Sequence, residues 1–129
     1  MDPTNSPLLA GLARRLEFLA ARSGVIAENI ANADTPGYAA RDLKPQKFAN
    51  HLAPAMRVSD PRHMTRANGA ASPPRAEASP DPDVSLNGNR VSIETQMMKL
   101  SQTRQDYQLV SSVYRKAVDM IRLAARGGR

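Results

Sequence analysis

The residue types that most often perform chemistry are sparse in this chain and do not converge. Its only two histidines, His51 and His63, are twelve residues apart in a proline-rich stretch, whereas a metal site needs three or four converging ligands. The chain has no cysteine, which excludes disulfides and thiol catalysis. Carboxylates occur singly, no serine lies in a nucleophile motif, and no glycine-rich phosphate loop precedes a helix. The sequence therefore predicts no catalytic residue, no metal or cofactor and no small-molecule substrate.

Prolines and periodic apolar residues occupy different parts of the chain. Eight of the ten prolines lie between Pro36 and Pro82, and the apolar periodicity lies on either side of them. Only five residues are aromatic. Because aromatic side chains supply much of the buried area of a small core, no large self-contained core is expected.

A long amphipathic helix is predicted from about Pro7 to Asn32. Pro7 suits a first helical turn, and Ser6 before it is a good N-cap. The apolar residues recur at spacings of three and four, with Ser23 completing a pattern typical of coiled coils. They are Leu9, Leu12, Leu16, Leu19, Ile26 and Ile30. So narrow a stripe on so long a helix needs a partner helix to cover it.

This helix is predicted to end in a tight corner. Thr35 precedes a proline, which disfavours the helical conformation. Pro36 and Gly37 then suit the two central positions of a type II turn, the second of which requires a positive φ. Residues 1–38 thus form an N-terminal unit of helix and corner. Residues 39–90 are predicted to be an irregular, outward-facing loop or linker, since residues 68–74 and 79–83 have linker composition.

A second long helix is predicted from about Ser92, an N-cap residue, to about Arg126, within a unit spanning residues 91–129. One apolar track along it consists of Ile93, Met97, Leu100, Tyr107, Tyr114, Val118 and Ile121. A second track replaces some of these residues with Val110, Ala117 and Ala124. The predicted fold class is therefore mainly α: two long terminal helices pack as a coiled-coil-like pair, and the proline-rich middle holds short β pieces.

The net charge of +6 favours a second class of function. The basic excess lies in residues 41–66 and 93–129, and a basic helix is compatible with a nucleic-acid-binding protein. However, there is no recognition motif and no interleaving of aromatic with basic residues. The narrow apolar stripe favours helix packing over a membrane-surface helix, and no apolar run approaches the ~20 residues that span a bilayer.

Residues 27–38 resemble the N-terminal signature of the flagellar rod and hook proteins. The matching residues are Asn29, Ala31, Asn32, Asp34, Thr35, Pro36, Gly37 and Tyr38. Residues 39–43, 60–64 and 87–100 resemble proximal-rod members of that family in particular. Another rod subunit of the same family is the nearest alternative.

The resemblance implies a structural subunit of the bacterial flagellar rod and not an enzyme. Such proteins leave the cytoplasm through the flagellar type III export gate without a cleaved signal, and residues 1–3 do not begin a basic and apolar leader. They assemble in the periplasmic basal body with copies of themselves, other rod proteins, the rod–ring adaptor and the membrane-ring protein, and they bind no nucleic acid. The resemblance makes the apolar residues of both helices the expected subunit interface.

One short segment has two interpretations. Residues 48–52 resemble the Phe-x-x-x-apolar element by which early rod and hook substrates are recognised at the export gate, with Phe48 and Leu52 as its two apolar residues. Alternatively, these two side chains pack against a neighbouring helix.

Overall fold

The computed structural model describes residues 7–44 and 74–127. Helix α1 spans Pro7–Ala31, strand β1 Arg41–Leu43, strand β2 Ala76–Ala78 and helix α2 Ile93–Gly127. The helices contain 25 and 35 residues, respectively. The predicted fold class, two long helices with short β pieces between them, is confirmed.

The corner after α1 has the predicted turn geometry. The Tyr38 amide donates to the Thr35 carbonyl oxygen at 3.3 Å, and Gly37 has a φ of 70°. Because Gly37 stands third in this four-residue turn, the positive φ is the one that a type II turn requires. The proline and glycine thus turn the chain away from the helix axis.

Helix α2 begins as its sequence predicts. The Ser92 hydroxyl accepts a hydrogen bond from the Thr95 amide at 3.4 Å, and the Ser92 carbonyl accepts one from the Gln96 amide at 2.9 Å. These contacts satisfy amide groups that a helix start otherwise leaves without partners. Glu94 adds a negative charge in the first turn, where it interacts favourably with the positive end of the helix dipole.

A small β layer lies beside the two helices. β1 pairs antiparallel with β2, in the register that places Asp42 opposite Glu77. Ala39 forms an isolated parallel bridge with Arg90, and the Ser79 amide donates to the Ala40 carbonyl at 2.8 Å. The stretch 79–83 therefore differs in part from the linker that its composition predicted, because the Ser79 and Asp81 amides donate to the carbonyls of Ala40 and Arg90.

The helices pack antiparallel along a mixed apolar and polar contact. Phe18, Leu19 and Leu43 form the buried cluster, against which Val25, Ala76 and Val110 pack. On α1, Leu9, Leu19 and Ile26 are buried, while Leu12, Leu16 and Ile30 are half-buried. On α2, the buried residues are Gln96, Thr103 and Ala117. The second apolar track is therefore the one that faces α1 through Val110 and Ala117, although its last member, Ala124, is exposed.

Neither α1 nor α2, in the part of the chain that the structure describes, is long and apolar enough to cross a membrane.

Candidate functional site: the polar corner and the exposed helix faces

The first polar contact of the corner is centred on Asn29, in the last turn of α1, whose side chain is fully buried. Its Nδ2 donates to the Arg41 carbonyl at 2.7 Å and to Gln96 Oε1 at 3.0 Å. Its Oδ1 accepts from the Arg41 amide at 3.0 Å and from the Tyr38 hydroxyl at 3.3 Å. This single amide therefore joins α1, the corner, the start of β1 and α2.

A second contact lies at the start of α2. The Asp81 carboxylate, 5% exposed, accepts hydrogen bonds from the Ser92 amide and Gln96 Nε2, both at 2.9 Å. Its other oxygen accepts from Lys99 Nζ at 3.2 Å. Gln96 thus lies between Asn29 and Asp81 and links the two contacts into one chain of hydrogen bonds.

These contacts determine how the Asp81 carboxyl titrates. Burial alone raises its pKa, because it disfavours the charged form. The hydrogen bonds from Gln96, the Ser92 amide and Lys99, together with the Lys99 charge, outweigh burial, so the pKa of Asp81 is lowered. The folded surroundings therefore keep the Asp81 carboxylate ionised to a lower pH than in the unfolded chain.

Asn89 holds the corner from the other side. It is fully buried, and its Nδ2 donates to the carbonyls of Asn32 at 3.0 Å and Thr35 at 2.7 Å. Its Oδ1 accepts from the Val91 amide at 2.8 Å. Asn89 therefore supplies hydrogen bonds that the last carbonyls of a helix and its exit turn otherwise lack.

An ion pair ties the β layer to α1. Arg22 donates from Nε and Nη2 to the two oxygens of Asp42, at 2.9 and 2.8 Å. Burial acts to raise the pKa of Asp42, but the hydrogen bonds from Arg22 and the Leu43 amide and the charges of Arg22 and Lys99 lower it. Paired, two-pronged contacts of this kind fix orientation as well as charge.

Some residues of the family motif form the corner and its hydrogen bonds, and the others are exposed. Asn29, Asn32, Thr35, Gly37 and Tyr38 make the corner: the Asn32 side chain donates to the Glu28 carbonyl at 2.8 Å and accepts from the Thr35 hydroxyl at 3.2 Å. Ala31, Asp34 and Pro36 are exposed. Sequence reasoning missed Asp81, Asn89 and Gln96 as partners of the motif. The sequence Asn87-Gly88-Asn89, which is typical of a turn, is the one local pattern that marks the position of Asn89.

The residues expected at the subunit interface lie in two environments. Those of α1 pack towards α2, as described above. Those of α2 do so only in part: Ile93, Met97 and Tyr107 are 47%, 57% and 43% exposed. Leu100, Tyr114, Val118 and Ile121 are half-buried.

A further set of large apolar side chains on α2 is exposed, and sequence reasoning did not assign it. It comprises Met98, Leu109, Val113, Met120 and Leu123. The chain thus leaves apolar surface on more than one side of α2.

A groove of about 570 Å³ runs between the helices. The α1 wall consists mainly of small residues and the α2 wall mainly of polar ones. The lining residues are Leu19, Ala20, Ser23, Gly24, Ala27, Leu100, Thr103, Arg104, Tyr107 and Gln108. Arg104 is the only ionic side chain in this lining, so the groove offers no acid–base pair.

Among residues 7–44 and 74–127, no three histidine or carboxylate side chains are grouped so that they could hold a metal ion. Phe48, Leu52, His51 and His63 lie outside the described residues.

Comparison with known proteins places this arrangement in a class. Residues 12–38, which cover most of α1 and the corner, match the family model "Flagella basal body rod protein". Over these residues the chain is similar to flagellar rod proteins, and the match falls on the helix and corner that the signature requires.

Three relatives give the particular family. The flagellar basal body rod protein FlgB of Escherichia coli is 34% identical over 109 residues, covering 73% of this chain and 75% of the relative. FlgB of Cereibacter sphaeroides is 31% identical over 122 residues, covering 89% and 91%. FlgB of Bacillus subtilis is 27% identical over 128 residues, covering 95% and 98%. The chain therefore belongs to the FlgB family of flagellar basal body rod proteins.

Proposed function

We propose that this chain is a structural subunit of the proximal rod, which polymerises through its terminal helices between the membrane ring with its export gate and the rest of the rod. The observation that carries the proposal is the surface of α2. Large apolar side chains, among them Ile93, Met97, Leu109 and Met120, are exposed on more than one side of a single helix. Exposed apolar surface of this kind is typical of a protein–protein contact.

The polar corner supports a role in a repeating assembly. Asn29, Asn89 and Asp81 fix the exit of α1 and the entry of α2 through buried hydrogen bonds. No buried side-chain nitrogen or oxygen in the described ranges is without a hydrogen-bond partner. Such a network orients the two helices uniquely. Identical orientation in every copy is what a repeating contact between subunits demands.

The proposed partners follow from the family. The chain contacts copies of itself and other rod proteins, and it meets the rod–ring adaptor, the membrane-ring protein and the export gate at the base of the rod. It reaches the periplasm through that gate without a cleaved signal. It has a structural role and no catalytic one. Its three units are residues 1–38, 39–90 and 91–129, of which the first and third form one helical domain and the second faces outward.

The decisive experiment is to locate the chain in isolated basal bodies. In a strain that lacks this gene, swimming should be lost and should return when the gene is restored. Basal bodies isolated from the complemented strain should contain the chain, detected by mass spectrometry and placed by electron microscopy at the base of the rod. Normal swimming in the deletion strain, or basal bodies without the chain, would contradict the proposal. A DNA shift assay at ~150 mM salt tests the alternative of a nucleic-acid-binding protein. A rod protein should show only weak, sequence-independent retention of DNA.

A further inference from the structure

Asn87 and Gly88 form one of the two Asn-Gly sequences of the chain, the other being Asn68 with Gly69. An asparagine followed by glycine is chemically labile, because the glycine backbone nitrogen can attack the side-chain amide carbon and no side chain on the glycine hinders its approach. Asn87 and Gly88 are both exposed, so solvent reaches the reacting atoms.

The reaction at this sequence has two steps. Base removes the proton of the Gly88 amide, the nitrogen forms a bond to Asn87 Cγ, the bond between Cγ and Nδ2 breaks, and Nδ2 takes up a proton and leaves as ammonia. The product is a five-membered succinimide ring. Water then opens the ring. Attack at Cγ gives aspartate, and attack at the backbone carbonyl carbon gives isoaspartate, in which the main chain runs through Cβ and Cγ.

The fold holds the Gly88 nitrogen in a tight turn. Its amide donates to the Ser85 carbonyl at 2.9 Å, so residues 85–88 form a four-residue turn. Gly88 has a φ of 76°, whereas the φ of Asn87 is not positive, which makes the turn type I. The third residue of such a turn has a ψ of about 0°. At this ψ the Gly88 nitrogen eclipses the Asn87 backbone nitrogen and lies away from the Asn87 side chain, so ring closure requires a large rotation about the Asn87 Cα–C bond.

Contacts with the corner oppose that rotation. The Asn87 carbonyl accepts a hydrogen bond from the Gly37 amide at 3.2 Å, and Asn87 Oδ1 accepts one from the Asn89 amide at 3.0 Å. A Cβ built on Gly88 would lie 3.8 Å from Gly37 Cα, so the turn packs directly against the corner. Rotation at Asn87 therefore breaks hydrogen bonds that also hold the corner together.

We propose that Asn87 is a site of spontaneous conversion to isoaspartate that the folded corner protects. The modification therefore accumulates in chains that stay unfolded, and it prevents them from rebuilding the corner. Isoaspartate adds one carbon atom to the main chain between Asn87 and Gly88. The turn of residues 85–88 and the contacts by which the buried Asn89 holds the end of α1 then no longer fit one backbone path.

Mass spectrometry of the full chain, incubated in mildly alkaline buffer with and without guanidinium chloride, measures the protection. Trypsin separates the two Asn-Gly sequences into the peptides 67–75 and 76–90, so Asn68 supplies a reference rate in the denatured chain. Conversion at Asn87 should be about tenfold slower or more in buffer than in guanidinium chloride, because in the folded chain it requires local opening. Equal rates at Asn87 in the two solutions would overturn the proposal.

Asn89→Ala tests whether the corner gives the protection. This change removes the side-chain hydrogen bonds to the end of α1 but leaves the Asn-Gly sequence intact. In buffer it should accelerate the conversion at Asn87 several-fold while circular dichroism shows that the helices remain. Gln105→Ala, at an exposed position of α2, is the control and should leave the rate unchanged. The same rate in Asn89→Ala as in the wild type would contradict protection by the corner.

Refolding tests the consequence of the modification. Chains aged in guanidinium chloride and then diluted into buffer should regain less helical signal as isoaspartate accumulates. Asn87→Asp is the matched control, because it keeps an acceptor oxygen near the Asn89 amide and its ionised carboxylate resists attack in alkaline solution. Both proteins carry Asn68→Asp, so that position 87 is the only site of rapid ammonia loss under test. Equal refolding of the two aged proteins would show that isoaspartate does not disturb the corner.

Discussion

Asn29 of α1 and Gln96 of α2 are both fully buried, and their side-chain amides share a hydrogen bond of 3.0 Å between residues 67 positions apart in the chain. A buried polar pair in a helix contact makes the relative position of the helices specific, because any shift would leave buried donors and acceptors without partners. The pair therefore fixes where along α2 the end of α1 lies.

Replacing Asn29 by alanine should destabilise the chain by about 1–3 kcal/mol, since it removes partners from the buried Gln96 oxygen and from the Arg41 backbone. Gln96→Ala should have a similar effect, and the double variant should cost less than the sum of the two. Urea unfolding followed by circular dichroism measures all three. Gln105→Ala, at an exposed position of α2, is the control and should change stability little. Strict additivity of the two changes would show that the amides do not act as a pair.

The sequence alone predicted the parts of the fold that depend on local patterns. The spacing of Leu9, Leu19 and Ile26 revealed the buried side of α1, and Pro36 with Gly37 revealed the corner. Such features require no knowledge of distant residues, because a helix stripe and a turn each have their own periodicity or backbone demand.

The polar half of the helix contact could not be predicted in this way. Gln96 and Thr103 are buried on α2, although polar side chains usually mark the solvent side of a helix. Gln96 is buried because Asn29 and Asp81 satisfy its amide, and both lie far from it in sequence. Because the composition around Asp81 is typical of a linker, this residue was not predicted to lie beside Gln96. The exposed Ile93 and Met97 likewise satisfy the apolar periodicity without facing α1.

Acid should destabilise the folded chain by protonating the carboxylates of Asp42 and Asp81. The folded state lowers both pKa values below the ordinary value of about 3.9, so in acid the unfolded chain binds more protons than the folded chain. Their contribution is therefore present above about pH 4 and is lost as the pH falls below it. The free energy of unfolding, measured from pH 7 to pH 2, should decline less steeply in the variants Asp42→Asn and Asp81→Asn. Slopes equal to that of the wild type would show that these carboxylates do not control acid stability.

The Gly37 corner predicts a ranking of three variants. Gly37→Val forces a β-branched residue to a φ of 70°, at a cost of about 1–2 kcal/mol or more, although the site itself has room for a Cβ. Gly37→Asn should be milder, because asparagine tolerates this conformation better. Ala39→Val, without a positive φ, is the control. Swimming halos at matched protein levels should therefore be smallest for Gly37→Val, and equal halos for valine and asparagine at position 37 would contradict the turn.

The exposed apolar residues of α2 should matter to assembly and not to the fold. Leu109→Gln removes a side chain that is 63% exposed, so the urea midpoint of the isolated chain should change little. Phe18→Ala, in the buried cluster, should cost about 3–5 kcal/mol and serves as the contrast. The amount of each variant in isolated basal bodies gives the second measurement. If Leu109→Gln enters basal bodies as well as the wild type, this residue is not a subunit contact.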